Sequence, residues 1–118
     1  MLRVVLIDDD PISTFITENL ILKNVSEPVT FYKYASAKSA LNEFYELGAN
    51  YLFLDLNMPE MDGWSFLDSL NEMENKTEIF ILTSSVDQRD IIKASKYELV
   101  KEFFSKPLLK KNINSIFN

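Results

Sequence analysis

The stretch Tyr51 to Gly63, YLFLDLNMPEMDG, constrains the fold more than any other part of the chain. Its four large apolar residues, Tyr51-Leu52-Phe53-Leu54, lack the alternation of a half-exposed strand. Such a run fits a strand buried on both faces, as in a parallel sheet. It stops at an acid, Asp55, and the turn residues Asn57, Pro59, Asp62 and Gly63 follow. A carboxylate at the carboxyl end of a buried strand sits where open α/β sheets bind their ligands. Taken by itself, Asp55 also reads as a plain strand end or a helix cap.

The remaining segments supply a sheet for that strand. Leu2 to Ile7, LRVVLI, reads as a first buried strand ending in Asp8-Asp9-Asp10-Pro11. Asp10 before Pro11 is a helix start, an acidic N-cap followed by proline at the first helical position. Ile12, Phe15, Ile16 and Leu20 then recur at helical spacing with the apolar members on one face, and Asn24 is a plausible stop. Val29 to Tyr34, VTFYKY, is more polar and suits an edge strand. Ser36 caps a second helix burying Ala37, Ala40, Leu41, Phe44 and Leu47 and ending at Gly48. Beyond Gly63 a third helix carries Trp64, Phe66, Leu67, Leu70 and Met73.

Glu78 to Leu82 gives a fourth strand that ends at Thr83-Ser84-Ser85. The run Ser85-Val86-Asp87-Gln88 fits a capping box for a fourth helix, with Ile91, Ile92 and Ala94 expected to be buried. Val100 to Phe104, interrupted by Lys101 and Glu102, reads as a fifth strand ending at Ser105-Lys106-Pro107. Leu109, Ile113, Ile116 and Phe117 mark a short last helix. Five strands alternating with five helices imply βαβ units, a parallel sheet covered on both faces, and one domain over residues 1–118.

Composition removes several kinds of chemistry. The 118 residues contain no cysteine and no histidine, which excludes disulfides, thiolate metal sites, His-based acid/base catalysis and a phosphohistidine on this chain. The net charge of −6 argues against direct binding to the phosphate backbone of a nucleic acid. Two glycines, Gly48 and Gly63, are too few for a Gly-rich phosphate loop. The first residues form neither a signal peptide nor a membrane span, so a cytoplasmic protein is expected.

The carboxyl ends of parallel strands lie on one edge of the sheet. Asp8 and Asp9, Asp55, Thr83 and Lys106 therefore converge there. A group of carboxylates is a hard oxygen site for Mg²⁺ or Mn²⁺. A carboxylate can also attack phosphorus to form an acyl phosphate, with a lysine and a metal neutralising the transferring group. Individually, the same residues also read as helix caps, strand ends and a solvated charge.

In this order and spacing, VVLIDDDP, FLDLNMPEMDG, ILTSS and Lys106-Pro107 resemble the receiver domain of two-component response regulators, over essentially the whole chain. The resemblance implies a (βα)5 doubly wound, flavodoxin-like fold with a parallel sheet in the order 2-1-3-4-5. It implies that Asp55 accepts phosphate, that Asp9 binds Mg²⁺ (or Mn²⁺) directly with Asp8 acting mainly through water, and that Asn57 offers its backbone carbonyl. It places Thr83 and Lys106 on the phosphoryl group, Phe103 as a switching aromatic, and Asn57 and Ser85 beside the path of a hydrolytic water. A cis peptide bond is implied before Pro107. Ser95 to Leu99, SKYEL, departs from the family in lacking the usual Gly-Ala before the fifth strand.

The expected function is a phosphorelay switch that takes phosphate from a histidine kinase or phosphotransfer protein and alters a protein-binding surface. It is not expected to be an enzyme beyond its own phosphorylation and dephosphorylation. A haloacid-dehalogenase-like phosphatase would use the Asp-x-Asp of Asp8 to Asp10, but Pro11 spoils that motif and Asp55 is left without a task. A receiver-fold module that binds partners without taking phosphate is the other alternative.

Overall fold

The computed structural model describes residues 1–70 and 76–117. In chain order its elements are β1 (Leu2–Ile7), α1 (Pro11–Asn24), β2 (Val29–Tyr34), α2 (Ala37–Leu47), β3 (Tyr51–Leu54), α3 (Gly63–Leu70), β4 (Glu78–Thr83), α4 (Gln88–Ala94), β5 (Val100–Ser105) and α5 (Lys110–Phe117). All neighbouring strands are parallel, and the sheet runs β2-β1-β3-β4-β5. Met73 of the expected third helix lies outside the described residues.

Side chains alternate across β3 and β4, as the period of two in a strand requires. Leu52, Leu54, Ile79 and Ile81 point to one face, where they meet Phe44 of α2, Phe66, Leu67 and Leu70 of α3, and Ala94 of α4. Phe53, Phe80 and Leu82 point to the other, against Ile21 of α1 and Ile113 of α5. Burial of both faces explains why β3 reads as a continuous apolar run. The edge position of β2 likewise explains its polar content.

Local chemistry sets the boundaries. Asp10 caps α1, its side chain accepting from the Ile12 amide at 3.0 Å, with Pro11 starting the helix. Ser36 caps α2 by accepting from the Ser39 amide at 3.2 Å, and Gly48 closes that helix at φ 59° in the left-handed region.

Three expectations need correction. The apolar residues Ile12, Phe15 and Ile16 of α1 are 68%, 66% and 48% exposed; the helix packs instead through Thr17, Leu20 and Ile21. Apolar residues occupy two sides of α1, so spacing alone could not choose between them. In α4, Ile91 and Ile92 are exposed and only Ala94 is buried. This seven-residue helix lies on the sheet through one small side chain. Its cap is Asp87, not Ser85: the Asp87 carboxylate accepts from the Arg89 amide at 2.9 Å and from the Arg89 guanidinium. The polar interruption in β5 also has a structural cause. Ile79 pairs with Val100 but Phe80 with Glu102, so Lys101 is the extra residue of a bulge.

Candidate functional site

The acid site lies at the carboxyl edge of β1, β3 and β5. The Asp55 amide donates to the Ile7 carbonyl at 2.9 Å, which carries the β1–β3 ladder one residue past β3 and fixes Asp55 beside Asp8. The Asp8 side chain is steadied by the Asp10 amide at 2.9 Å. One carboxylate oxygen from each of Asp8, Asp9 and Asp55 lies within 4.8 Å of the others. Asp55 is buried, Asp8 half-buried and Asp9 exposed, so the cluster opens to solvent on the Asp9 side.

Lys106 enters from the end of β5. Its amide donates to the Thr83 carbonyl at 2.9 Å, tying it to the end of β4. Its Nζ bridges Asp8 Oδ2 at 2.8 Å and Asp55 Oδ2 at 3.1 Å. Burial pulls the Lys106 pKa down, but hydrogen bonds and charge attraction from Asp8 and Asp55 outweigh it and leave the pKa raised. The ammonium is a fixed positive charge between two acids. The other Asp55 oxygen accepts from the Leu56 amide at 2.8 Å.

Gly63 holds the loop after Asp55. A Cβ there would lie 2.6 Å from the Asp55 carbonyl oxygen and 3.0 Å from Leu56 Cα, so only glycine allows this approach. The Gly63 amide returns to the Leu56 carbonyl at 3.1 Å, and Asp62 accepts from the Ser65 amide at 2.9 Å at the start of α3.

The other residues singled out by sequence take these positions. Thr83 is fully buried, and its hydroxyl accepts from the Ser85 amide at 3.3 Å. Ser85 is turned toward α4, where its hydroxyl donates to Asp90 at 2.6 Å. Asn57 is exposed in the loop after Asp55. Phe103 is half-buried against the core on the α2–α3–α4 face. The Lys106–Pro107 peptide is cis. Asp90 and Thr17 were not singled out. For Thr17 the available signal was its place one turn before the core residue Ile21.

Three carboxylates and an exposed rim form a hard-oxygen donor set that fits Mg²⁺ or Mn²⁺. The site contains no histidine or thiolate for a softer metal. No described helix is long and apolar enough to cross a membrane.

Comparison with known proteins agrees with this architecture. The chain is 29% identical over 113 residues to the two-component response regulator ARR22 of Arabidopsis thaliana, covering 96% of this chain and 79% of that protein. It is 24% identical over 105 residues to the chemotaxis protein CheY of Bacillus subtilis, covering 89% of this chain and 85% of CheY. A solved two-component response regulator from Cytophaga hutchinsonii superposes with a TM-score of 0.86 at 32% identity, covering 98% of this chain and 93% of that one. The fold is also shared with the Mn(2+)-bound form of response regulator Rcp1, at a TM-score of 0.77, 21% identity and coverage of 98% and 89%. The family described as "Response regulator receiver domain" matches residues 4–118, and the chain belongs to that family.

Proposed function

We propose that the chain is a cytoplasmic phosphoacceptor switch whose acceptor is Asp55. One observation carries this reading: a buried carboxylate at the end of β3 has two more acids within 4.8 Å and a lysine ammonium 3.1 Å away. One Asp55 oxygen attacks the phosphorus of a phosphohistidine on a histidine kinase or phosphotransfer protein. The P–O bond forms as the P–N bond breaks. The imidazole keeps the electron pair and leaves neutral, its other nitrogen already protonated.

Asp8, Asp9, Asp55 and the Asn57 carbonyl would hold Mg²⁺ or Mn²⁺. When bound, the cation neutralises charge on the phosphoryl oxygens. Lys106, already within reach of the Asp55 carboxylate, pairs with the same oxygens, and the Thr83 hydroxyl donates to one of them. Movement of Thr83 leaves space for Phe103 to turn inward, shifting a population between two existing states and reshaping the face around Lys93, Lys96 and Lys110. Asn57 and Ser85 are small and leave water a path to the acyl phosphate, so the phosphorylated state is short-lived. Nothing is turned over except the chain's own phosphate.

The test is intact mass after incubation with Mg²⁺ and acetyl phosphate. One added phosphate is expected, and none on Asp55→Asn. Equal labelling of that variant would refute the assignment, and repeated turnover of a phosphate ester would favour a phosphatase.

A further inference from the structure

Beneath the acid pair, on the α1 side of the sheet, lies a cavity with about 10 Å³ of room for the centre of a water molecule. That is about the smallest space that holds one water. Phe53 and Leu82 form its apolar walls, and Asp8, Thr14, Thr17 and Asp55 its polar ones. Thr17 is 4% exposed, and its hydroxyl has no hydrogen-bond partner among the described residues. A threonine within a helix can bond back to the carbonyl four residues earlier, here Ser13. Thr17 does not, although Thr14 bonds in this way to the Asp10 carbonyl at 3.2 Å. A buried hydroxyl without a partner is disfavoured, and Thr17 lines a space that Asp8 and Asp55 line as well.

We infer that this cavity is a binding site for a single water molecule, held by Thr17 against the inner side of the Asp8–Asp55 pair. The bonding capacity matches. Asp55 already accepts from Leu56 and Lys106, and Asp8 from Asp10 and Lys106. Each carboxylate has about four acceptor sites, so both have room for one more donor. The water donates to the carboxylates, and the Thr17 hydroxyl completes its shell. Thr17 is thus a positioning residue, one water away from the proposed acceptor. This functional consequence rests on Asp55 being the phosphoacceptor; the water site itself does not.

The test uses the whole chain and two variants. Thr17→Val keeps the shape and removes the hydroxyl, whereas Thr17→Ser keeps the hydroxyl and removes a methyl. A high-resolution crystal structure of the unaltered chain should show one ordered water within hydrogen-bond reach of Thr17 Oγ1. The water should persist in Thr17→Ser and disappear in Thr17→Val. Labelling by acetyl phosphate should slow about tenfold in Thr17→Val, the lower end of the loss typical for outer partners of a site. Thr17→Ser should stay within about twofold of the unaltered chain, because its hydroxyl bond is kept. A dry cavity in the unaltered chain, or a Thr17 hydroxyl found bonded to the Ser13 carbonyl, would overturn the site. Equal labelling rates in Thr17→Val and the unaltered chain would overturn the positioning role. Failure of the unaltered chain to take any phosphate would overturn the Asp55 assignment and leave a water seen in the crystal standing.

Discussion

Helices α3 and α4 follow neighbouring strands on the same face of the sheet, yet they are attached in opposite ways. Helix α3 buries Phe66, Leu67 and Leu70 completely, and Gly63 at its start is pressed against the backbone of Asp55 and Leu56. Helix α4 buries only Ala94 and leaves Ile91 and Ile92 in solvent. Its further ties lie at its two ends: the Ser85 hydroxyl donates to Asp90 at the start, and contacts at the C-terminal end cross to α3. Lys93 lies 4.6 Å from the Trp64 ring centroid, Tyr97 stacks on Trp64 at 5.5 Å, and the Tyr97 hydroxyl donates to Asp68 at 2.7 Å. The helix next to the acid loop is anchored in the core, whereas the one bearing the exposed basic residues is held by a few surface contacts. A helix held in this way should open at a lower free energy than one anchored in the core.

The largest effect should come from cutting the α3 anchor. Phe66→Ala removes a fully buried ring and should cost about 3–5 kcal/mol in urea unfolding. A loss below about 1 kcal/mol would mean that α3 is no better anchored than a surface helix. Gly63→Ala comes next. Its Cβ meets backbone at 2.6 Å, which cannot yield as a flexible side chain would, so about 1–3 kcal/mol is expected. Because the displaced backbone belongs to Asp55 and Leu56, acetyl phosphate labelling should slow in the same variant. Normal labelling in a destabilised protein would show that the acid loop does not depend on this contact.

The difference between the two helices also separates what could be read from sequence from what could not. The strands were legible because apolar runs buried on both faces end abruptly at Asp8, Asp55 and Thr83, and parallel pairing brings those ends to one edge. The meeting of Asp8, Asp9, Asp55 and Lys106 follows from that geometry; their chemical roles are a matter for the labelling experiments. Helix α3 was legible because its core residues are all apolar. The packing of α4 was legible only in part: Ala94 is buried as expected, but Ile91 and Ile92 look equally like core residues and are exposed. In α1 the packing face includes the polar Thr17, while a more apolar face points to solvent. The cap of α4 was ambiguous because Ser85 and Asp87 can both accept from backbone amides. The sequence does not show that Arg89 would reinforce Asp87, nor that Ser85 would turn to Asp90.

Tyr97 gives a smaller effect with a pH signature. Burial, then its hydrogen bond to Asp68, pushes its phenol up to about 12 from 10.0. A raised pKa means that the fold favours the neutral phenol. That stabilisation is complete below pH 10, and it is lost as pH rises through about 12. Burial also raises the phenols of Tyr34, Tyr45 and Tyr51, so Tyr97 should be the latest component in phenolate absorbance, identified by its loss in Tyr97→Phe. In Asp68→Asn the shift should shrink but persist, because burial is the larger cause. Tyr97→Phe should cost about 0.5–1.5 kcal/mol at neutral pH, the usual worth of one hydrogen bond. Should Tyr97 titrate at its ordinary value, the tie between α3 and α4 would be absent in solution.

The smallest effect sharpens the comparison most. Ile92 is 58% exposed, so Ile92→Ala removes side-chain atoms that are largely hydrated already. Away from caps and the core, surface substitutions usually fall within about ±0.5 kcal/mol. The unfolding midpoint of Ile92→Ala should therefore match that of the unaltered chain, although the same type of truncation is severe at Phe66. Amide hydrogen exchange supplies the companion measurement. Amides of α3 around Phe66 and Leu67 should exchange only through global unfolding. Those of α4 should exchange through a local opening of lower free energy, and Tyr97→Phe should lower it further. Equal protection of the two helices, or a loss of more than about 1 kcal/mol for Ile92→Ala, would mean that α4 is anchored by more than Ala94, the Ser85–Asp90 hydrogen bond and its contacts with Trp64 and Asp68.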